Sequence, residues 1–254
     1  ITGEAYARLG SYETVRAGFR AGGSLNDTLD FDIGVNERSQ YDDFDMGDDA
    51  LVIDDVTLGD GATRPFTSFQ TRSAYARLGA DLGPNWRADL RVMGFRGRDL
   101  EGPGSESNGT SRQSTNDARV VGEFDRHTLQ AVVFSTKEEN ERREAVDGVV
   151  SLRGTGNETE WWGVQLSDAF RFNDTFSLVA GIDYEAIDRV NVGFAADGGP
   201  RAPFAPNEER ETVGVYADLT VRLLDDRLIV NGGVRQDRIE SSLEPTPLRA
   251  DFVP

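Results

Sequence analysis

The segment Glu211–Leu223 constrains this chain more than any other. Val213, Val215, Ala217, Leu219, Val221 and Leu223 alternate there with Thr212, Gly214, Tyr216, Asp218, Thr220 and Arg222. A period of two places one set on each face of a pleated strand, giving one apolar and one polar face. A helix, at about 3.6 residues per turn, would scatter both sets around its circumference. The same alternation recurs along the chain. Val15, Ala17, Phe19 and Ala21 alternate with Arg16, Gly18, Arg20 and Gly22, and Leu29, Phe31, Ile33 and Val35 with Asp30, Asp32, Gly34 and Asn36. Ala74–Leu82, Trp86–Val92 and Phe176–Tyr184 repeat it, while the facing of Thr128–Phe134 is less clean.

These runs are expected to form eleven strands, near 1–10, 14–24, 29–41, 70–82, 86–99, 114–125, 128–139, 158–172, 176–189, 209–223 and 228–240. Most reach the roughly 9–11 residues with which a tilted strand crosses a bilayer, whereas strands of water-soluble proteins average about 5–6. The connections alternate in kind. Short turns rich in Gly, Asn, Asp and Pro lie at 23–28, 83–85, 125–127, 173–175 and 224–227. Long polar segments lie at 42–69, 100–113, 140–157 and 190–208. Long structureless loops are unusual in a compact soluble domain but are the rule on one side of an outer-membrane barrel.

Composition agrees once the architecture is allowed for. A hydrophobic fraction of 37% and a mean hydropathy of −0.48 suit a barrel, because only one strand face meets lipid. No run approaches the about 18 apolar residues of a membrane helix. A net charge of −18 argues against nucleic acid as a partner, since phosphate contacts need an excess of Lys and Arg. Cysteine is absent, so there is no disulfide framework and no thiolate metal site. Aromatics cluster at both ends of the runs: Trp86, Phe170, Phe172 and Phe176 beside short turns, and Tyr12, Tyr41, Phe69, Trp161 and Trp162 at the other end. Two aromatic belts are expected where a barrel meets its two interfaces.

The opening Gly3–Tyr12 (GEAYARLGSY), the hairpin within Arg72–Val92 (AYARLGADLGPNWRADLRV), and Gly214–Ala217 followed by Arg227–Arg238 (RLIVNGGVRQDR) resemble the barrels of TonB-dependent outer-membrane receptors. The resemblance spans nearly the whole chain, in order and spacing. It implies an all-β antiparallel transmembrane barrel of about twenty-two strands, of which 1–254 would be a partial barrel domain covering the first half. It also implies a location in the bacterial outer membrane and a plug domain, not visible in this chain, that contacts the TonB system. The implied activity is uptake of a scarce solute, a ferric siderophore, cobalamin or similar small molecule or metal chelate. The chain opens at Ile1 without Met or a basic-then-apolar leader, which reads as a mature, processed or partial chain. An open sheet of eleven long strands leaves two unpaired edges that hydrocarbon does not tolerate. The rest of the barrel is therefore expected from elsewhere, and this piece is not expected to fold alone.

Candidate sites follow. Asp42, Asp43, Asp45, Asp48, Asp49, Asp54, Asp55 and Asp60 crowd one loop without an intervening Lys or Arg before Arg64. Crowded carboxylates repel unless a hard cation such as Ca²⁺ bridges them. The spacing is not that of an EF-hand, and a solvated acidic loop is the plainer reading. Trp161, Trp162, Phe194 and Phe204 are candidate ligand contacts from the outer loops. The polar faces carry Arg16, Arg20, Asp30, Asp32, Arg87, Asp89, Arg91, Asp183, Glu185, Asp218 and Arg222, a wall for a plug or a solute path, or simply a wetted surface. No catalytic residue is expected: His127, the single His, lies in a turn, and no phosphate-binding loop or nucleophile elbow is present. Two other readings remain, a passive channel of about twelve strands and a soluble all-β carbohydrate-binding protein.

Overall fold

The computed structural model describes residues 1–43, 52–53, 56–57, 67–101, 107–146, 149–150, 154–195, 197–225 and 227–244. The strands are β1 (Thr2–Gly10), β2 (Thr14–Ser24), β3 (Leu29–Gln40), β4 (Val52–Ile53), β5 (Val56–Thr57), β6 (Phe69–Asp81), β7 (Trp86–Glu101), β8 (Ser107–Glu123), β9 (His127–Val146), β10 (Val149–Val150), β11 (Thr155–Arg171), β12 (Phe176–Val192), β13 (Asn207–Leu223) and β14 (Leu228–Glu244). Eleven long strands form one antiparallel sheet in the order β1-β2-β3-β6-β7-β8-β9-β11-β12-β13-β14, each hydrogen-bonded to its neighbours in sequence. The two-residue β10 pairs with β9, and β4 pairs with β5 as a separate ribbon. The all-β meander expected from the alternation is what forms.

Register converts the alternation into two faces. One cross-strand row runs Leu29, Ala80, Ala88, Val120, Ala131, Leu166, Ile182, Val215. The row beside it runs Asp30, Gly79, Asp89, Arg119, Val132, Gln165, Asp183, Gly214, Asp237. Large apolar side chains on the first face stay open to their surroundings: Leu90 is 52% exposed, Val133 50% and Leu166 49%. Among the described residues only Ser39 is fully buried. A water-soluble protein would bury that apolar face and expose the charged one. Here the arrangement is inverted, as it must be when hydrocarbon is the solvent outside.

Aromatic contacts mark the two boundaries. At the short-turn end Trp86 meets Phe124 edge-on, with ring centroids 5.6 Å apart, and Phe170 meets Phe172 at 4.6 Å. At the other end Trp162 leans on Tyr184 at 5.1 Å. The short turns are built by their polar residues. Asn-Asp-Thr occurs twice, and in each copy the Asn carboxamide closes the turn. Asn26 Oδ1 accepts from the Thr28 and Leu29 amides at 2.9 and 2.8 Å, and Asn173 Oδ1 from the Thr175 and Phe176 amides at 2.9 Å each. This is the Asx turn, a side chain standing in for a backbone acceptor.

The strands outrun their hydropathy pattern. β8 begins at Ser107 rather than 114, β9 continues to Val146 rather than 139, and β12 continues to Val192 rather than 189. Much of the expected loop 140–157 is therefore paired strand. Alternation in hydropathy requires lipid on one side, so it stops at the membrane edge. The backbone ladder has no such requirement and carries polar residues onward into water.

Close packing occurs instead on the polar face, where tyrosines lie over glycines of the next strand. Tyr6 stands opposite Gly18, and a Cβ there would fall 2.6 Å from the Tyr6 ring. The Tyr6 hydroxyl then accepts from Asn36 Nδ2 at 2.9 Å, so one side chain ties β1 to β3 across β2. Gly18→Val is expected to cost about 1–3 kcal/mol through overpacking. Urea unfolding followed by the heat-shifted band on gels measures this. Combining it with Tyr6→Ala should cost less than the sum of the two changes; strict additivity would show that the ring and the glycine do not pack.

Candidate functional site

The polar face is organised by repeated charge clusters. In the first, Gly79 on β6 stands between Asp30 on β3 and Asp89 on β7. Arg87, two residues before Asp89, lies 2.6 Å from Asp30 Oδ2, 2.9 Å from Asp81 Oδ1 and 3.2 Å from Asp89 Oδ1. Arg77 pairs with Asp30 at 2.9 Å and also with Asp89. The glycine makes this possible, because a Cβ at Gly79 would lie 2.7 Å from Asp30 Oδ2.

The second cluster repeats the first half a sheet away. Gly214 on β13 stands between Asp183 on β12 and Asp237 on β14. Arg235, again two residues before the second aspartate, reaches Asp183 at 2.8 Å and Asp237 at 2.7 Å. A Cβ at Gly214 would lie 2.6 Å from Asp183 Oδ2. The shared design is Asp on one strand, Gly on the next, and Arg-x-Asp on the third. Two carboxylates facing each other across a bare glycine are bridged by the guanidinium of the Arg-x-Asp arginine, which can donate to both at once; in the first cluster Arg77 adds a second bridge.

Further pairs extend the wall. Arg20 donates to Asp32 through Nη2 at 2.7 Å and Nε at 3.3 Å, and the Tyr75 hydroxyl donates to the same carboxylate at 2.8 Å. Arg91 reaches Asp117 at 2.7 Å. A polar groove of about 590 Å³ runs along this face past Glu4, Arg20, Asp30, Asp32 and Arg77. Chemically it is a wettable charged wall, suited to polar contacts and water.

The other expected residues are placed as follows. Trp161 faces the polar side, half-buried, while Trp162 faces outward at 48% exposure. Phe194 bridges Pro200 in a small hairpin held by Ala195 N–Gly199 O at 2.9 Å and Arg201 N–Gly193 O at 2.9 Å. Beyond that hairpin Phe204 projects, 93% exposed. Asn191 anchors the hairpin by donating from Nδ2 to Pro206 O at 2.6 Å. Asp43 closes the base of the acidic loop: Oδ1 accepts from the Thr67 and Ser68 amides at 2.8 and 2.7 Å. The Asp42 carbonyl accepts from Gln40 Nε2 at 3.1 Å. Asp45, Asp48, Asp49, Asp54, Asp55 and Asp60 lie outside the described residues. His127 turns to the outward face, its Nδ1 2.8 Å from Asp168 Oδ2 and its ring 4.5 Å from that of Phe170.

The Asp-Gly-(Arg-x-Asp) clusters were not found from the sequence. Asp30, Asp89, Arg87 and Asp183 all appear among the expected polar-face residues, but their grouping depends on strands far apart in the chain. The only sequence signal is the glycine in the polar set at Gly79 and Gly214, which has no meaning until register is known.

An outward apolar band, two aromatic boundaries and an inward ion-paired wall define a transmembrane β-barrel of the outer membrane. The protein belongs to the TonB dependent receptor-like, beta-barrel family, whose model matches residues 7–250. No curated protein matches the sequence. Among solved structures it is similar to the copper transporter OprC, with 17% identity, a TM-score of 0.73, and coverage of 94% of this chain and 37% of that one. It is also similar to the ferric-catecholate import receptor Fiu from E. coli K12, with 12% identity, a TM-score of 0.71, and coverage of 95% and 45%. The Serratia marcescens hemophore receptor HasR is similar at 17% identity and a TM-score of 0.69, over 93% and 33%. The chain thus spans less than half the length of each of these structures.

Arg77 and Arg87 both bridge the first cluster, so removing the two together should leave Asp30 and Asp89 facing one another. The double change R77Q/R87Q is expected to lower stability by about 2 kcal/mol, between the values for exposed and fully buried pairs, with Arg87→Gln alone costing less. Adding Asp30→Asn to the double change should recover part of that loss. Equal urea midpoints for wild type and R77Q/R87Q would show that the cluster contributes nothing.

Proposed function

We propose that this chain is part of the barrel of a receptor that draws a scarce solute across the outer membrane with energy delivered through TonB. The observation that carries the reading is the ion-paired inner wall, joined to strands that continue well past the membrane edge. Much of the charge on this wall is drawn into ion pairs around Arg20, Arg87, Arg91 and Arg235, which leaves it polar and wettable. The extended outer strands raise a polar rim on which a ligand can first settle.

In this reading β1 and β14, the two edges of the sheet, pair with further strands of the same barrel, and a plug domain occupies the lumen. Ferric siderophores, cobalamin and similar chelates are the solute class. The copper, ferric-catecholate and hemophore proteins named above are similar in fold and support that range without selecting within it. Trp161, Phe194 and Phe204 are the proposed ligand contacts, with Trp162 serving the lipid boundary beside Tyr184. Calcium in the acidic loop is proposed as a support for the outer rim, with Asp43 closing the loop base.

Cells carrying or lacking the full-length receptor, each with and without TonB, test this with a panel of labelled ferric siderophores and cobalamin. Accumulation of at least one probe should require both proteins. Probe entry that needs the receptor but not TonB, together with steady conductance in planar bilayers, would overturn the reading in favour of a passive channel.

A further inference from the structure

Beyond the apolar band both faces of a strand meet water, and hydropathy gives no reason to keep charge off either of them. Register shows that charge is nevertheless kept off one. On the outward face a cross-strand row runs Arg72, Arg96, Arg112, Glu139, Glu158, Val190 from β6 to β12. The lumen rows on either side of it are almost neutral. One runs Thr71, Gly97, Ser111, Asn140, Asn157, Asn191, and the other Ser73, Phe95, Gln113, Glu138, Thr159, Arg189. A third lumen row, one step nearer the short turns, runs Tyr75, Met93, Thr115, Thr136, Trp161, Ile187.

Glu138 and Arg189 are the only charged members of these three rows, in a chain whose residues are 28% charged. The neutral field has edges. On β1–β3 the same face is basic at Arg8, Arg16 and Arg38, and on β13 it is charged at Glu208 and Arg210. Nearer the short turns charge returns at Arg77, Arg91, Asp117 and Glu185. Charge is thus withheld from one bounded stretch of the lumen wall.

Trp161 stands within this stretch. Beside it lie two buried polar side chains, Thr136 and Thr159, each 6% exposed. The Thr136 and Thr115 hydroxyls share a hydrogen bond of 3.1 Å, and Thr159 Oγ1 accepts from Asn157 Nδ2 at 3.2 Å and Arg189 Nε at 3.3 Å. These bonds fix the surroundings of the indole before any ligand arrives. The Trp161 indole N–H, the Gln113 carboxamide and the Ser73 and Ser111 hydroxyls have no hydrogen-bond partner among the described residues. Neutral donors and acceptors are therefore left open around an aromatic ring.

We propose that this stretch of wall binds a neutral polyhydroxylated solute, an oligosaccharide, with Trp161 as its stacking platform and Gln113, Ser73 and Ser111 meeting its hydroxyls. The proposal rests on the uptake reading above and adds a sugar to the solutes of the same lumen. A sugar ring has an apolar C–H face bounded by hydroxyls, which suits an indole set among amides and hydroxyls. The strands lie about 4.8 Å apart, so each row spans about 24 Å, room for a chain of several rings. An anionic chelate would find one cation in these rows, Arg189, which already serves Thr159 and Glu208. A merely wetted wall would carry charge on both faces.

Calorimetric titration of the protein purified from outer membranes in mild detergent tests the site without any need for TonB. The probes are maltohexaose, cellohexaose, xylohexaose and mannohexaose. At least one should bind. Trp161→Ala should weaken it about thirtyfold, the usual worth of an aromatic anchor, and Trp161→Phe should recover part of the loss. Gln113→Glu places a charge in the lumen row and removes a donor, and should weaken binding about tenfold. Ser114→Glu, the next residue along the strand and outward-facing, should match wild type. Failure of all four sugars to bind would overturn the proposal, while TonB-dependent accumulation of a labelled chelate would leave the uptake reading standing. Sugar binding unchanged by both Trp161→Ala and Gln113→Glu, or weakened equally by Ser114→Glu and Gln113→Glu, would overturn it too.

Discussion

Hydrocarbon offers no partner to a backbone N–H or C=O, and each group left unpaired in it costs several kcal/mol. The rest of this structure depends on that constraint. It forbids isolated strands, so the eleven long strands join one continuous antiparallel ladder. It makes register unforgiving, because a slip of one residue would send Asp30, Asp89 and Asp183 into lipid and Leu29, Ala88 and Ile182 into the lumen. It also explains why the sheet holds together although almost no side chain is buried. Lipid tails are as apolar as the valines and leucines they touch, so the outer face contributes to placement in the membrane more than to cohesion between strands.

Specific packing therefore moves to the inner face and above the membrane. Inside, tyrosines cover glycines of adjacent strands, and two aspartates face each other across a bare glycine, bridged by arginine. The same solution appears at Arg87 and at Arg235, on strands far apart in the chain. Both clusters join three neighbouring strands, which is the smallest unit able to resist sliding of the middle strand past its partners. Such joints leave the surface polar and wet.

Outside, the charges are sorted rather than matched. The rim of β6–β8 is basic and that of β11–β13 acidic, although both stand at the same level above the apolar band. The alternation of side chains along a strand keeps the outward and inward charges apart with no additional structure.

Much of the fold was legible in the residues themselves. Period-two alternation gave the strands and their faces, Asn-Asp-Thr and Gly-Pro-Asn gave the turns, and aromatic positions gave the two boundaries. These signals are local, set by how one strand meets two solvents. The outer ends were misjudged because hydropathy falls silent where both faces meet water, while the ladder of β8, β9 and β12 runs on. The charge clusters were invisible for a different reason. Asp183, Gly214 and Arg235 become neighbours only when register is fixed between strands. Register is decided by cooperative hydrogen bonding along the whole sheet, and no window of sequence contains it. The sequence by itself determined that this chain would be a membrane-crossing β-sheet with one greasy and one charged face; the tertiary structure alone decided which charges meet, because pairing across strands is a property of the ladder and not of any residue in it.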